Sequence, residues 1–444
     1  MLEASVPKLV VTLAIPTIIS MMVSAIYNMA DTYFVSQINT SASGAVGIVF
    51  SIMALIQAVG FTIGMGSGSI SSRLLGQGIP ERAAIFASSA VTAVLIAGSL
   101  LTFFGLLFLQ DFVWVLGATQ TIYPYALDYA TYILWGAPVM CISFTLNNLL
   151  RWQGKAKLSV VGLGIGGILN IILDPIFIFV LGLGISGAAI ATLVSQLTSM
   201  CILSSFFLLG HSDIRVSPKC VSRSPRIYFL ILKSGLPSFF RQGMSSVSTM
   251  ALNFNAGMYG DAAVAAMAIV TKVFNFILSA VIGFGQGMQP VVGYSYGAGK
   301  LHRVRQAVFF SIKFCTVILT IAAIVGALFA HEIVAFFRDD PQVIEIGTRA
   351  FRYQCITLPI GSVLVFSNMV FQSMGKSVRA SILALCRQGL VFIPMVFLLP
   401  NLFGLTGLEL TQTVSDAVAF IISSIIFVHY FFQELPKEQQ KEPD

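Results

Sequence analysis

The sequence predicts an all-α polytopic membrane protein, with twelve transmembrane helices in two six-helix lobes related by a pseudo-twofold axis along the membrane normal. Two observations lead to this prediction: a very apolar composition and an internal repeat that covers most of the chain. The 444 residues are 57% hydrophobic and only 10% charged, and the mean hydropathy is +0.89. Because soluble domains carry about 25% charged residues, this deficit indicates helices that face lipid along the whole chain.

Twelve apolar segments are long enough to cross a bilayer, which takes about 20 apolar residues in a helix. The first segment is too long for the apolar core of a signal peptide and lacks a small-residue cleavage site, so we expect it to be a span. The predicted spans are residues 8–35, 43–70, 83–109, 123–150, 158–182, 185–210, 227–256, 262–290, 304–330, 343–371, 378–400 and 406–433.

Positive charge is concentrated in alternate loops between these spans. The loops after spans two, four, six, eight and ten hold most of the 25 Lys and Arg residues, and the odd-numbered loops hold few. Since loops rich in Lys and Arg stay in the cytoplasm, both termini are predicted to be cytoplasmic. We expect a multi-pass protein of the plasma membrane, that is, the cytoplasmic membrane of a prokaryote.

The chain aligns with itself, without a gap, at an offset of 221 residues. Pro16 aligns with Pro237, Asn147 aligns with Asn368, and several glycines and basic residues follow the same offset. The sequence therefore predicts an amino-terminal lobe (1–210), a cytoplasmic linker (211–226), a carboxy-terminal lobe (227–433) and a cytoplasmic tail (434–444). Six spans per lobe put both lobes in the same orientation, a plan common among alternating-access transporters.

Two carboxylates break the symmetry of this repeat. Asp31 in span one aligns with Leu252, and Asp174 in span five aligns with Met395. A charge inside a span costs roughly 3 kcal/mol or more. The carboxylates that occur in only one repeat are therefore candidates for function rather than for structure.

The first of these sites is the segment ILNIILDPIFIFV, residues 168–180. Asp174 could cap a new helix in a surface turn, with Pro175 in its first position, but that arrangement leaves span five too short. Inside one helix, Asn170 and Asp174 share a face because they are four residues apart, and Pro175 leaves the Ile171 carbonyl without its usual donor. Such a group of oxygens could hold a small cation or relay protons.

Asp31 lies near the outer end of span one, with Tyr27 four residues earlier on the same face. It could instead be an interfacial residue at a helix end. If spans one and five bring Asp31 and Asp174 together, both cannot ionise at low cost, so the pair would bind a proton or a cation. Glycines in span five would let a neighbouring helix approach closely; they are Gly162, Gly164, Gly166 and Gly167.

Other residues inside spans carry weaker signals. The six cysteines have no paired spacing and are predicted to be packing residues, and no catalytic motif is present, so we expect neither an enzyme nor a bound cofactor. Arg241, Arg387 and Asp416 lie within carboxy-lobe spans and could be structural or functional. The polar residues that could line a substrate cavity are Gln57, Asn147, Asn148, Asn253, Lys272 and Gln286.

Over about residues 5–433, the chain resembles the multidrug and toxic compound extrusion (MATE) transporters. The resemblance rests on the twelve spans, the repeat, the NxxxDP pattern of span five, and three segments: GMGSGSISSRLLGQG (64–78), RWQGKAK (151–157) and GFGQGMQPVVGYSYGAGK (283–300). It implies a V-shaped, two-lobed transporter that exports organic cations against an inward flow of Na+ or H+.

The resemblance also implies a site. Members with an ion site in the amino lobe use the residues that match Asp31, Asn170, Asp174 and Thr192, and these would be the ligands if the ion is Na+. Tyr27 is expected to join this network, and an asparagine of span four, either Asn147 or Asn148, is also expected. The other branch relies on acidic residues of spans seven and ten. Span seven here has none, and Glu345 is only at the edge of span ten, so we assign the amino-lobe branch.

We therefore predict a secondary active multidrug efflux transporter that exports organic cations or other amphipathic compounds in exchange for H+ or Na+. The expected partners are small-molecule drugs or toxic cations and the lipid bilayer, without nucleic acid, and we expect a monomer.

The alternative is a flippase for lipid-linked saccharides or lipids of the same wider superfamily. Cations such as Lys272 would suit its phosphates, but the amino-lobe carboxylates argue against it. A channel or receptor fits the duplicated lobes poorly.

Overall fold

The structure is a computed structural model that describes residues 2–435. The predicted tail, residues 434–444, lies almost wholly outside the described residues. All regular elements within residues 2–435 are helical, which confirms the predicted all-α class. The chain forms two compact units, residues 15–239 and, from the rest of the described chain, residues 2–14 with 240–435.

The first unit holds the helices that precede the linker. Its core is an apolar cluster to which α2 and the helices packed on it contribute many residues, among them Ile56, Met65 and Tyr129. The helices are α1 (Val6–Ser36, from Ile15 onward in this unit), α2 (Thr40–Gly76), α3 (Pro80–Leu107), α4 (Leu109–Val115), α5 (Tyr123–Trp135), α6 (Ala137–Trp152), α7 (Ala156–Pro175) and α8 (Gly184–Leu208).

The second unit repeats this order. Its helices are α9 (Pro225–Gly257, from Phe240 onward in this unit), α10 (Asp261–Gly297), α11 (Leu301–Leu328), α12 (Ala330–Phe337), α13 (Pro341–Thr357), α14 (Gly361–Ser373), α15 (Ser377–Leu385) and α16 (Phe392–His429). A π-helical turn, Ile176–Val180, extends α7, and two others, Cys386–Val391 and Tyr430–Glu434, join α15 to α16 and follow α16.

The structure confirms the internal repeat. Helices α2 and α10 are each 37 residues long and begin at Thr40 and Asp261, which are 221 positions apart. Helices α3 and α11 are each 28 residues long and begin at Pro80 and Leu301, at the same offset. The same plan is therefore folded twice.

A helix occupies each of the twelve predicted spans. Among the described residues, nine helical runs are long and apolar enough to cross a membrane, or ten with the bent pair α5 and α6. The last run, Ser377–Glu434, contains spans eleven and twelve. They separate at Gly404, whose φ of 60° and ψ of −140° are not helical and suit glycine, which has no Cβ. The seventh span, α9, carries Arg226, Lys233 and Arg241 and is not among the nine.

Two features of the spans were not predicted. Span four is bent by 51° between α5 and α6. Gly136 lies at the break, and two residues later Pro138 cannot donate the backbone hydrogen bond that would continue the helix. Short helices, α4 and α12, also follow spans three and nine. Both lie where the sequence predicted loops.

The glycine-rich segment 64–78 has a packing explanation within the first unit. A Cβ on Gly66 would lie 2.1 Å from the Ile231 carbonyl oxygen, and one on Gly68 would lie 2.2 Å from Trp152. Side chains at these positions would push α2 away from α6 and from the first turns of α9, so glycine is required for the close approach.

The compact units divide the chain inside α1, next to Pro16, and inside α9, next to Pro237. The predicted lobes came from counting spans, whereas the units reflect packing. The predicted boundaries at residues 210 and 226 therefore stay a prediction.

Candidate functional site

The candidate site lies in the first unit, where α7 packs closely between α8 and α1. A Cβ on Gly166 would lie 1.9 Å from Ser199 Oγ, on α8, and one on Gly167 would lie 3.1 Å from Val23, on α1. Gly162 similarly faces Leu203, whereas Gly164 has no neighbour within 4 Å of its would-be Cβ. Three of the four glycines thus serve the predicted close approach.

Asn170 and Asp174 share a face of α7, as predicted, and point toward α8. Asn170 Nδ2 donates a hydrogen bond to Asp174 Oδ1 at 3.0 Å, and it lies 3.4 Å from Thr192 Oγ1, which also accepts from it. All three side chains are buried, and Asp174 is fully enclosed. The span continues through Pro175 into a π-helical turn, so Asp174 lies inside span five and not in a surface turn.

Asp31 reaches the same region from α1. It is buried, and its Oδ2 accepts a hydrogen bond from the Tyr129 hydroxyl, on α5, at 3.2 Å. Asp31 and Asp174 repel each other electrostatically when both are ionised. Tyr129 interacts with both carboxylates and with the Thr192 side chain. Four helices of one unit thus contribute to a single polar cluster.

Several oxygens of this cluster have no hydrogen-bond donor among the described residues. They are buried and belong to the two carboxylates and to the neighbouring amide: Asp31 Oδ1, Asp174 Oδ2 and Asn170 Oδ1. Buried acceptors without donors are costly and call for an explanation. A proton or a small cation would satisfy them, because carboxylate and amide oxygens are the ligands that hard cations prefer.

A small cavity adjoins the cluster. It is lined by Tyr27, Asn170, Thr192, Ser195 and Gln196, together with Ser24, Phe144, Leu163, Gly166 and Gly167. The volume of this cavity is only about 10 Å³, which is room for about one water molecule. The cavity is therefore of the size of an ion or a water molecule and too small for a drug.

Tyr129 is the main residue of the site that the sequence analysis missed. The signal was present in the repeat, because Tyr129 aligns with Ala350 just as Asp31 aligns with Leu252. Thr192, by contrast, aligns with Thr413 and is not distinguished in this way. A search for every polar residue that occurs in one repeat only would have found Tyr129.

Neither asparagine of span four lies in this cluster. Asn147 donates to the Ser159 carbonyl at 3.0 Å and to Ser159 Oγ at 2.6 Å, which ties α6 to α7. Its repeat partner Asn368 donates to the carbonyl of Ala380, the position that aligns with Ser159. The same link in both repeats indicates a structural role. Asn148 donates to the Phe144 carbonyl and accepts from Arg151.

The other candidates are more scattered. Gln57 is half-buried on α2. Asn253, Lys272 and Gln286 belong to the second unit, where the first two are exposed and Gln286 is buried.

Several charged residues inside the second unit have polar partners there. Arg387 Nε lies 3.1 Å from Asp416 Oδ1 in a largely buried ion pair, and Arg241 donates to Asn368 Oδ1 at 3.2 Å. Glu409, which the sequence analysis did not single out, is buried and paired with Arg349 at 3.0 Å. All six cysteines are free thiols. Four are buried, as expected of packing residues, whereas Cys201 is exposed and Cys220 is half-buried.

Comparison with known proteins supports the resemblance seen in the sequence. The family profile described as MatE matches residues 16–176 and residues 237–398, two stretches that begin 221 residues apart like the repeat itself. Among curated relatives, the multidrug export protein MepA of Staphylococcus haemolyticus is 27% identical over 96% of this chain and 94% of that protein. A protein of Shewanella oneidensis named FAD transporter is 26% identical over 94% of this chain and 93% of that protein.

Solved structures give the same result. A multidrug resistance MATE family transporter of the MOP superfamily, in an outward-facing conformation, superposes with a TM-score of 0.92 and is 26% identical, with 98% of each chain covered. A MATE structure in the bent conformation gives a TM-score of 0.93 at 26% identity and the same coverage.

Proposed function

The chain belongs to the MatE family, and on that basis we propose that it is a secondary active transporter that exports organic cations, or other amphipathic compounds, in exchange for H+ or Na+ moving inward. The observation that carries this proposal is the buried cluster of Asp31, Asn170 and Asp174, with acceptor oxygens that no described residue satisfies. A protein that only needed to pack its helices would not keep two such carboxylates there, because the same helices pack without them in the second repeat.

The coupling ion would be bound by the cluster itself. For a proton, Asp31 and Asp174 are the acceptors, and Tyr129 holds Asp31 in position through its hydroxyl. For Na+, the two carboxylates, the Asn170 amide oxygen and Thr192 Oγ1 are the candidate ligands. Both ions suit an all-oxygen site.

Exchange follows from the charge of the pair. An ion that occupies the site lowers the net negative charge of the two carboxylates, and this change in charge would let α1 bend at Pro16 or span five bend at Pro175. The ion-free, negatively charged form attracts an organic cation more strongly. Ion and substrate then compete because each prefers a different state, which makes export depend on the ion gradient.

The substrate class is proposed from relatives and charge. The relatives named MepA are multidrug export proteins, and a negatively charged cluster favours cations. A second candidate is a flavin dinucleotide, since another relative is named FAD transporter. The flippase alternative is less favoured because the buried carboxylates of the cluster would repel a phosphate, and because Arg387 is already paired with Asp416.

Transport by everted membrane vesicles would test the proposal. We expect export of a cationic dye to be driven by an imposed H+ or Na+ gradient, and to be abolished by Asp31→Asn and by Asp174→Asn with expression unchanged. Asp128→Asn is the matched control, because Asp128 is exposed on α5 beside Tyr129 and should keep wild-type export. If both neutral variants export dye at the wild-type rate, the carboxylates are not the coupling site.

A further inference from the structure

We propose that α11 and the π-helical turn that follows α16 form a binding site for an anionic phospholipid, with the lipid phosphate held by Arg305 and His302. This inference does not depend on the proposed function, because it concerns a different unit from the carboxylate cluster. It begins from a cavity of about 420 Å³ that is lined by His302, Arg305, Gln306 and Phe309. Their spacing places all four on one side of α11.

The cationic end of this cavity is pre-arranged. Arg305 Nη2 donates to the Phe431 carbonyl at 3.0 Å, which fixes the guanidinium between α11 and the π-helical turn Tyr430–Glu434. A guanidinium has five N–H donors, so this one bond leaves capacity for a phosphate, which arginine binds well. His302 and Gln306 are exposed beside it and add further donors.

The nearest acidic residue of that turn does not neutralise the cavity. Glu434 is engaged by Arg379 at 2.8 Å and faces His429 at 3.4 Å. Lys300 and Arg303 flank His302 on the chain. The local charge is therefore positive, which is complementary to an anionic headgroup.

The other end of the cavity is apolar and continues along the helix. Phe309 is 44% exposed and packs edge-on against Phe427 and Phe431. Beyond it, the same side of α11 exposes a column of apolar residues suited to acyl chains: Val317, Ile321, Ile324 and Leu328. A free phosphate ion would use only the cationic end, whereas a phospholipid would use both.

Lys313 supports this assignment independently. It is exposed on the same side of α11, one turn beyond Phe309 and inside predicted span nine. Its amine can avoid the hydrocarbon only by extending along the helix toward the headgroup level. Basic pockets at the cytoplasmic end of membrane helices bind anionic lipid headgroups in this way, and the start of α11 is predicted to be cytoplasmic.

Binding of defined lipids to the purified full-length protein would test the proposal. We expect phosphatidylglycerol to bind at least fivefold more tightly than phosphatidylcholine in native mass spectrometry of delipidated protein. Arg305→Gln removes one cation and should weaken phosphatidylglycerol binding about fivefold. Gln306→Glu should weaken it similarly by repulsion, and because Gln306 is exposed, that variant tests the site even if Arg305→Gln does not fold.

The matched control is Gln110→Glu, the same substitution at an exposed position of α4 in the other unit, which should leave both lipids unaffected. Inorganic phosphate at millimolar concentration should not displace the lipid. Equal binding of the two lipids, full retention of binding in Gln306→Glu, or displacement by inorganic phosphate alone would overturn the assignment of a phospholipid site.

Discussion

The Tyr129 hydroxyl donates a hydrogen bond to Asp31 Oδ2 at 3.2 Å, between residues that are 98 positions apart in the chain. Both side chains are buried, so the bond is shielded from water and helps to hold the carboxylate in place. Hydrogen bonds to ionised groups are about twice as strong as those between neutral groups. Because Tyr129 binds only Oδ2, it holds that oxygen in place and leaves Asp31 Oδ1 available for an ion.

Tyr129→Phe should weaken ion coupling without unfolding the protein. The substitution removes a hydrogen bond to a charged group, worth about 1.5–3 kcal/mol, so we expect the coupling-ion concentration at half-maximal export to shift about tenfold or more. Dye efflux measured as a function of pH and of Na+ would show the shift. Tyr132→Phe, on the same helix, is the control. An unchanged ion dependence in Tyr129→Phe would remove Tyr129 from the site.

Asn147→Ala and Asn368→Ala should both destabilise the protein and leave its ion dependence unchanged. Each asparagine makes the same link to a carbonyl twelve residues further on, and a buried partner left without its bond costs about 1–3 kcal/mol. Thermal unfolding in detergent should show a lowered midpoint for both. If instead Asn147→Ala kept its stability and lost ion dependence, Asn147 would belong to the coupling site.

The Arg387–Asp416 pair is predicted to be structural. The two side chains are 16% and 8% exposed, and removing one partner of a buried pair costs about 3–5 kcal/mol because it leaves the other charge uncompensated. Arg387→Met and Asp416→Leu should each lower the unfolding midpoint, whereas the double variant should recover most of it. A double variant less stable than either single variant would contradict this interpretation.

The membrane orientation can be tested with single cysteines in a background from which the six native cysteines are removed. The loop 257–261 is predicted to face outside and the linker 211–226 to face the cytoplasm. An impermeant thiol reagent added to intact cells should label Tyr259→Cys and not Ser217→Cys. The reverse pattern would invert the orientation and would also move the start of α11 to the outer side.

The sequence alone was sufficient for the fold because its main determinants are periodic and repeated. The spans follow from apolar length, and the offset between Pro16 and Pro237 defines a repeat that α2 and α10 confirm in the structure. The bend at Gly136 and helices α4 and α12 were not predicted, because length and hydropathy do not report on local backbone breaks.

The site was predictable only in part. Asn170 and Asp174 could be placed on one face because a helix fixes their spacing. The approach of Asp31 to Tyr129 depends on tertiary packing, which spacing along the chain does not reveal. Asn147 is a polar residue inside a span for which sequence could not separate a structural link from a functional ligand.

The most direct test of the account measures the affinity of a cationic drug for the purified protein as pH and Na+ are varied at fixed ionic strength. Asp31 and Asp174 are the negative charges in question, and Tyr27 and Tyr129 are the other titratable groups nearby. Protonation or Na+ binding lowers the net negative charge of the pair, so wild-type affinity should fall as pH drops or as Na+ rises. The Asp31→Asn/Asp174→Asn double variant should lose that dependence. A wild-type affinity indifferent to both ions, or a double variant that keeps the dependence, would contradict the proposed competition between ion and drug.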